Sequence, residues 1–343
     1  AAMEKIIPPV PKSIIRTELK NNRFIRSTNY ASHEIYVLNF HNSPNTVKEI
    51  GRLREVTFRE SGGGTGKPLD LDDYDTRDEA YYEQLIVWDP DQEEIIGGYR
   101  FIKGAEILSS SKYSDLATNG LFNFSDSFIK DYLPYTIELG RSFVQPNYQP
   151  ASGNKKAIFS LDNLWDGLGA LVVDNPEIQH FFGKVTMYLD FHKLGRDYIL
   201  GFFKQFFPDE NKLVTPIKPL GLHYKIDEFI NEISRLEFKE AYKLLSQKNK
   251  ELGANVPPLI GAYMNLSASM KSSSSSCDSN SSSLESSLVG VSVSSSSIEI
   301  TNSSSSIISG SSFLEDFSVV VFFSLNPISF LSSPNSSNLS TKM

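Results

Sequence analysis

Residues 135–148, YTIELGRSFVQPNY, place two charged side chains inside an apolar segment. Glutamate can accept protons and arginine can bind carboxylates, so Glu138 and Arg141 are the first candidates for chemistry. The β-forming residues around them predict a central strand over 135–145, where a charge must be paired or used. Residues three apart on a regular strand point to opposite faces, so one shared site requires a bulge, which Gly140 would allow. A structural ion pair at a strand end is the alternative.

The chain around this strand alternates between helical and extended patterns. Apolar residues recur at helical spacing in some segments and form strand-like runs in others. This alternation predicts one α/β domain with a mixed sheet flanked by helices. The predicted elements are a short strand over 36–38, helix 46–60, a β-hairpin over 81–103, helix 160–173, strand 181–188, helix 192–207, a long helix over 227–252, and a last strand or extended cover over 256–266.

Two polar segments resemble ligand loops without the required spacing. Residues 61–68, SGGGTGKP, lack the first glycine and the final Ser or Thr of a phosphate loop, so we expect a flexible connection. Residues 70–75, DLDDYD, lack the glycine and terminal glutamate of an EF-hand, so we expect a solvated loop. No metal site is predicted.

Composition limits the class of protein. The formal net charge of −8 provides no general basic surface for nucleic acid. The single cysteine, Cys277, lies outside the globular part, which excludes a disulfide framework, a cysteine metal cluster and a thiol nucleophile there. The sequence shows no apolar leader and no stretch of about 20 apolar residues, so we expect a cytoplasmic protein, with peripheral contact to the inner membrane left open.

The character of the chain changes at Ser272. Of the last 72 residues, 31 are serine, a composition that cannot bury a core and predicts a disordered or frameshifted tail. We therefore divide the chain into an N-terminal extension over 1–35, a globular domain over 36–271 and a low-complexity tail over 272–343.

Clusters of residues in the globular part resemble, in their order, the acyl-homoserine-lactone synthases. The clusters are Arg54 and Phe58 on the first helix, Asp72 and Asp75 in the acidic segment, Arg100 in the hairpin, and ELGR at 138–141. Residues 36–207 resemble more closely the ornithine-lipid and glycine-lipid N-acyltransferases, often called hemolysin-like, in the branch of Bacteroidetes-type bacteria. The pattern E-[LI]-G-R-[SC]-x-V with a following P-x-Y matches Glu138 to Val144, Pro146 and Tyr148, while L-W-x-G-[LI] matches 164–168 and F-G-x-V matches 182–185.

The resemblance implies a GNAT-type fold, in which strands 135–145 and 181–188 separate and the pantetheine arm of an acyl donor lies between them. The usual GNAT phosphate loop is not evident between Tyr148 and Ser160, which fits a thioester donor on acyl carrier protein and no bound cofactor. Cations near the proposed gap would steer that acidic protein, unless they are simply scattered solvated side chains: Lys155, Lys156, Lys184, Lys193 and Arg196.

The implied reaction moves a long-chain 3-hydroxyacyl group from the carrier to the amine of glycine or ornithine in aminolipid biosynthesis. Glu138 would be the base, Arg141 would hold the substrate carboxylate or Glu138, and Tyr188 would protonate the leaving thiolate or simply pack. Candidates for the substrate pocket are Arg54, Phe58, Asp72, Asp75, Arg100, Phe143 and Val144. For the four charged residues among them, a purely structural role is equally open. The alternatives are an acetyl-CoA-dependent N-acetyltransferase and a non-enzymatic, membrane-active protein.

Overall fold

A computed structural model describes residues 3–19, 24–110, 115–149, 152–187, 191–266, 271–278 and 315–324. Its strands are β1 (Phe24–Ser27), β2 (Glu34–Leu38), β3 (Glu83–Asp89), β4 (Glu94–Lys103), β5 (Phe122–Phe124), β6 (Thr136–Val144), β7 (His180–Met187), β8 (Val214–Pro216), β9 (Lys271–Asp278) and β10 (Glu315–Ser324). In the described part of the chain, eight of them form one sheet in the order β1-β2-β3-β4-β6-β7-β10-β9, and β5 pairs with β8.

The helices are α1 (Lys12–Glu18), α2 (Pro44–Glu60), α3 (Asp73–Thr76), α4 (Gly104–Ser109), α5 (Ser160–Asp174), α6 (Lys193–Phe206), α7 (Asp227–Ile233), α8 (Phe238–Glu251) and α9 (Pro258–Leu266). The predicted α/β class, the hairpin β3–β4 and the central strand β6 are confirmed. Within the described residues, none of these helices has both the length and the apolar character needed to cross a bilayer.

The sheet separates two layers of side chains. Alternate residues of the central strands, such as Leu139 and Phe181, face a large apolar cluster with helices α5 to α9. The opposite face carries one apolar cluster under α1 and α2 and a second one that includes Ile102 and Phe182. Polar side chains from β3, β4 and β6 lie on this second face, because side chains alternate along a strand.

The pairing of β6 with β7 ends halfway along both strands. The two strands are parallel and pair from Thr136–His180 to Leu139–Gly183. Beyond that point β6 continues its pairing with β4, and β7 continues with β10. The two central strands therefore separate beyond Leu139 and Gly183, as the sequence resemblance implied.

The predicted bulge in β6 is present, although the unusual backbone conformation is not at Gly140. Gly140 pairs with Arg100 and Phe143 pairs with Gly98, so three steps along β6 match two along β4. Arg141 itself has φ +49°, a left-handed conformation that costs a non-glycine residue energy. The extra residue brings Arg141 to the same face as Glu138.

Two predicted elements near the C-terminal end of the globular part are wrong. The helix expected over 227–252 is interrupted between α7 and α8 by residues 234–237, and both helices contribute to the cluster around α6. The strand or extended cover expected over 256–266 is the helix α9. Pro258 starts this helix at a position where its missing N–H costs nothing, and a short apolar run does not by itself distinguish helix from strand.

Both ends of the globular domain extend beyond the boundaries drawn from the sequence. The boundary at residue 36 falls inside β2, which pairs with β1, and Ile15 of α1 packs in the cluster under α2. Two segments of the serine-rich tail, β9 and β10, extend the sheet beyond β7. Disorder of the rest of the tail stays a prediction, because that part lies outside the described residues.

Candidate active site

Three buried arginines and three buried aspartates meet between α2 and the sheet. Helix α2 supplies Arg54, whose Nη1 lies 3.2 Å from Asp75 Oδ1. Asp72 caps α3 in a capping box with Asp75, which fixes both carboxylates at the sheet surface. Arg100 of β4 lies 2.5 Å from Asp72 and 3.3 Å from Asp75.

Arg141 completes this cluster from the bulge of β6. Its guanidinium lies 3.1 Å from Asp70 and 3.2 Å from Asp72. The six formal charges sum to zero, and we call these residues, Arg54, Asp70, Asp72, Asp75, Arg100 and Arg141, the six-residue ion cluster. Burial alone lowers the pKa of Arg100, but Asp72 and Asp75 more than offset it and raise this pKa well above its ordinary value.

Glu138 lies on the same sheet face and is held differently. It is 2% exposed. The Tyr82 hydroxyl donates a short hydrogen bond to Oε2, and the Ala117 N–H lies 3.2 Å from the same oxygen. Thr118 donates to Oε1 from its hydroxyl at 2.6 Å and from its N–H at 3.2 Å. All four donors are neutral, and within the described residues Glu138 forms no ion pair.

Tyr82 connects the two groups. Burial, and after it the charge of Glu138, raises the pKa of Tyr82 well above its ordinary value, so the hydroxyl keeps its proton and remains a donor. The guanidinium carbon of Arg100 lies 5.1 Å from the centre of the Tyr82 ring, a distance typical of cation–π contact. The ion cluster thus packs against the residue that orients the Glu138 carboxylate.

Glu138 stands beside the point where the central strands separate. It pairs with Phe182 of β7, and the next pair, Leu139 with Gly183, is the last one between these strands. Lys184 follows on β7, is buried, and belongs to the face that carries Phe182 and Glu138. A substrate that enters the gap between the strands would therefore reach the neighbourhood of the carboxylate.

The remaining predicted site residues occupy several environments. Phe58 and Phe143 are buried together in the cluster under α2, whereas Val144 faces the opposite cluster. Tyr188 lies outside the described residues. Whether any of these positions contacts substrate stays a prediction, although Arg54, Asp72, Asp75 and Arg100 clearly join α2 and α3 to the sheet.

The predicted carrier-docking cations do not form one exposed set. Lys155 and Lys193 are exposed, whereas Lys184 is buried, and the side chain of Lys156 is outside the described part. Arg196 is only 6% exposed and donates to Asp197 Oδ1 at 2.6 Å. The expectation that Arg196 is a surface cation is corrected, because its charge is neutralised inside the protein.

The sequence did not identify several residues of the site. Tyr82, Thr118, Asp70 and Gln84 were not singled out; Gln84 accepts from Arg54 at 2.5 Å. Strand alternation in YYEQ, which places positions 82 and 84 on one face, was the available signal. In the acidic segment expected to be solvated, Asp70, Asp72 and Asp75 are instead buried, and only the aspartate Asp73 is exposed.

The glycine-rich segment 61–68 also has a defined role. The carboxylate of Glu55 accepts from the N–H and hydroxyl of Thr65 and from the Gly66 N–H, at 2.7–3.0 Å. The N–H groups of Thr65 and Gly66, which a phosphate loop would offer to a phosphate, are therefore bonded to the Glu55 carboxylate.

Two central strands that separate are what the sequence resemblance implied for a GNAT-type fold, and sequence comparisons identify the class as N-acyltransferases. A family model described as an acetyltransferase (GNAT) domain matches residues 53–157. Glycine N(alpha)-acyltransferases of Phocaeicola vulgatus and Bacteroides thetaiotaomicron are each 50% identical over 270 residues, which is 78% of this chain and 82% and 80% of theirs. The chain belongs to this family of N-acyltransferases, so the resemblance, the fold class and the enzymatic activity drawn from the sequence are confirmed.

Two solved structures of a CoA-dependent acyl-homoserine lactone synthase are also similar. One contains SAM and isopentyl-CoA and the other contains MTA; they match 45% and 48% of this chain and 67% and 72% of theirs. The sequence identities are 14% and 16%, and the TM-scores are 0.28 and 0.30. The family assignment rests on the sequence relatives, because TM-scores this low do not establish a shared fold.

Proposed function

We propose that the enzyme transfers a long-chain 3-hydroxyacyl group from acyl carrier protein to the amine of a small amino acid, in the synthesis of an aminolipid. The observation that carries this proposal is Glu138, a buried carboxylate with neutral donors, beside the separation of β6 and β7. Of the two acceptors considered, the names of the relatives support glycine over ornithine.

In the proposed reaction, the amine nitrogen attacks the carbonyl carbon of the thioester. Glu138 takes the amine proton through a water, because the carboxylate is almost fully enclosed. Backbone N–H groups at the bulge around Arg141 stabilise the oxyanion. The carbon–sulfur bond then breaks, and the thiolate takes a proton from Tyr188 or from solvent. No covalent intermediate with the enzyme is required.

The donor is proposed to be carried by a protein and not by free CoA. The segment between Tyr148 and Ser160 lacks the GNAT phosphate-binding pattern, and its Lys155 is exposed. Lys155 and Lys193 suit an acidic carrier protein, which would deliver the pantetheine arm to the gap. A cytoplasmic enzyme with peripheral membrane contact is consistent with a lipid product.

The test is an acyl-transfer assay with the full chain. Purified protein is mixed with 3-hydroxypalmitoyl carrier protein and, in parallel, with acetyl-CoA. Each donor is offered with glycine, with ornithine and with a panel of other amino acids. Thiol release gives the rate, and mass spectrometry identifies the product.

Each outcome decides between the candidate functions. N-acylglycine formed from the carrier-bound donor supports the proposal, and N-acylornithine would change the acceptor. Turnover with acetyl-CoA alone would make the enzyme an ordinary N-acetyltransferase. Lysis of erythrocytes by purified protein that transfers no acyl group would favour the membrane-active alternative.

A further inference from the structure

Three of the four hydrogen-bond donors that hold the Glu138 carboxylate come from a short segment outside the sheet. They are the N–H of Ala117 and the N–H and hydroxyl of Thr118. We call residues 115–118, DLAT, the Glu138-binding segment. It lies between α4 and β5 and contains no α-helical or strand residue. Because such a segment has no regular hydrogen-bond ladder to fix it, other parts of the protein must hold its donors against Glu138.

The guanidinium of Arg77 holds the start of this segment. Its Nη2 donates to Asp115 O at 3.2 Å, and its Nη1 lies 3.5 Å from Asp115 Oδ1. The same guanidinium donates to Ala80 O from Nε, at 2.8 Å, and from Nη2. Arg77 thus bridges two backbone carbonyl groups with a planar fork, which the single ammonium of a lysine does not reproduce.

Arg77 is itself fixed to a rigid part of the molecule. It directly follows α3, and its N–H donates to Asp73 O at 2.9 Å. His41 Nε2 lies 2.9 Å from the carbonyl oxygen of Arg77. The guanidinium carbon lies 4.8 Å from the centre of the Tyr74 ring, a distance typical of cation–π contact. Because the capping box and the ion cluster hold α3 on the sheet, Arg77 connects that fixed point to the Glu138-binding segment.

Leu116 is a second anchor of the segment, of a different kind. It is fully buried in the apolar cluster that includes Phe122 and Phe182. Apolar packing is not directional, so it holds the segment down without orienting the N–H groups that follow. The side chains of Arg77 and Asp115 are 23% and 26% exposed, so solvent weakens their charge pair. The directed bonds from Arg77 to the two carbonyl groups are therefore what orients the segment.

We propose that Arg77 is a positioning residue for Glu138. It holds the Glu138-binding segment where Ala117 and Thr118 orient the carboxylate. This inference rests on the proposed function, in which Glu138 is the base. A carboxylate that loses well-placed donors is less ordered and keeps a proton to higher pH. Loss of the Arg77 bridge should therefore slow proton removal from the acceptor without changing how the acceptor binds.

The test compares Arg77→Gln with Arg59→Gln in the full chain. Arg59 is the matched control, because it is 16% exposed and also donates to two backbone carbonyl groups, those of Glu4 and Lys67, at 2.8 and 2.7 Å. Arg77→Gln should lower kcat about five- to tenfold, with KM for the acceptor unchanged. The acid side of its kcat profile should move to higher pH. Arg59→Gln should leave kcat and the pH profile unchanged.

Two further variants separate positioning from other causes. Arg77→Lys keeps the charge but not the bridge, so its kcat should fall nearly as far as that of Arg77→Gln. In a Glu138→Gln background, Arg77→Gln should cause no further fall in kcat, because Arg77 acts through Glu138.

Hydrogen exchange tests the bridge without turnover. The N–H groups of Ala117 and Thr118 should exchange faster in Arg77→Gln and at the wild-type rate in Arg59→Gln. Unchanged exchange in Arg77→Gln would overturn the inference, even if the enzyme used none of the donors offered.

The kinetic outcomes distinguish this inference from the proposed function. Unchanged kcat in Arg77→Gln, together with a slow Glu138→Gln variant, would overturn the role of Arg77 and leave Glu138 as the base. Full activity of Arg77→Lys would assign the effect to charge alone and would also overturn the positioning role. Normal turnover by Glu138→Gln would instead contradict the proposed mechanism.

Discussion

Two groups of buried carboxylates share one face of the sheet and are stabilised in opposite ways. Asp70, Asp72 and Asp75 face three guanidinium groups, so their charges are balanced within the cluster. Glu138 instead receives hydrogen bonds from two hydroxyls and two backbone N–H groups. Neutral dipoles orient a carboxylate without cancelling its charge, whereas an arginine cancels it.

From this difference we infer a structural role for the ion cluster and a chemical role for Glu138. A carboxylate in a balanced ion pair holds structural elements together, and the neighbouring positive charge makes it a poor proton acceptor. A carboxylate held by dipoles retains its full charge for a proton from substrate. Arg100 of the ion cluster contacts the ring of Tyr82, so the cluster also supports the residue that orients Glu138. We therefore expect changes in the ion cluster to affect stability first, and changes at Glu138 to affect the rate first.

Glu138→Gln should give the largest effect, a fall in kcat of about 10²–10⁴-fold. Stability should change little, because the amide oxygen still accepts from Thr118 and the Tyr82 hydroxyl can accept from the amide NH₂. The Ala117 N–H keeps its 2.8 Å bond to the Tyr82 hydroxyl. Rates of thiol release and thermal melting are the measurements. Normal turnover by the variant would remove Glu138 as the base.

Asp75→Asn should lower the free energy of unfolding by about 3–5 kcal/mol, because Arg54 and Arg100 lose a buried counter-charge. Asp73→Asn is the matched control, since this exposed neighbour lies in the same short helix and should change stability by less than about 0.5 kcal/mol. Urea unfolding measures both. Equal losses in the two variants would show that the ion cluster does not support the fold.

Tyr82→Phe should reduce kcat about tenfold and stability by about 1 kcal/mol, since one donor to Glu138 is lost while the ring beneath Arg100 remains. KM for the acceptor should stay unchanged, which separates positioning of the base from a general disturbance. Tyr74→Phe is the control, because this ring also lies near Arg100, at 5.5 Å. A similar loss of kcat in the control would contradict the positioning role of Tyr82.

Asp70→Asn should give the smallest effect, visible as a change with pH. Burial raises the pKa of Asp70 above its ordinary value of 3.8, although Arg141 opposes this. The folded protein then holds this proton more tightly than the unfolded chain, so the contribution to stability is full below pH 3.8 and is lost as pH rises through the folded pKa.

The variant lacks this titration. The unfolding free energy of the wild type relative to Asp70→Asn should therefore fall as the pH is raised above 3.8. Urea unfolding of both proteins at a series of pH values gives the slope. A slope of the opposite sign would mean that the charge of Arg141 outweighs burial in setting the pKa of Asp70.

Strong periodic patterns predicted most of the fold. The helix expected over 46–60 is α2, and the strand expected over 181–188 is β7, each within two residues at either end. The bulge followed from the two charges three residues apart in β6, although its left-handed residue is Arg141 and not Gly140. The break between α7 and α8 was not predictable from periodicity, because the apolar pattern continues through it and tertiary packing decides.

The site was predictable only where a residue's chemistry is unusual for its place. Glu138 and Arg141 stand out as charges in an apolar strand. Thr118 lies in an irregular segment, and its contact with Glu138 spans 20 positions, so no local pattern indicates it. Asp70 was seen as part of a solvated acidic run, because the three arginines that neutralise the run come from distant elements.

The zero net charge of the six-residue ion cluster has an evolutionary consequence. A substitution such as Asp75→Asn there leaves buried charge without compensation, at a cost of about 3–5 kcal/mol, which exceeds what a marginally stable protein readily tolerates. Lineages should therefore keep all six positions or change them in compensating pairs, whereas an exposed neighbour such as Asp73 drifts independently. Selection at this site therefore acts on the net charge of the ion cluster. Substitutions at its six positions should accordingly be correlated among related sequences.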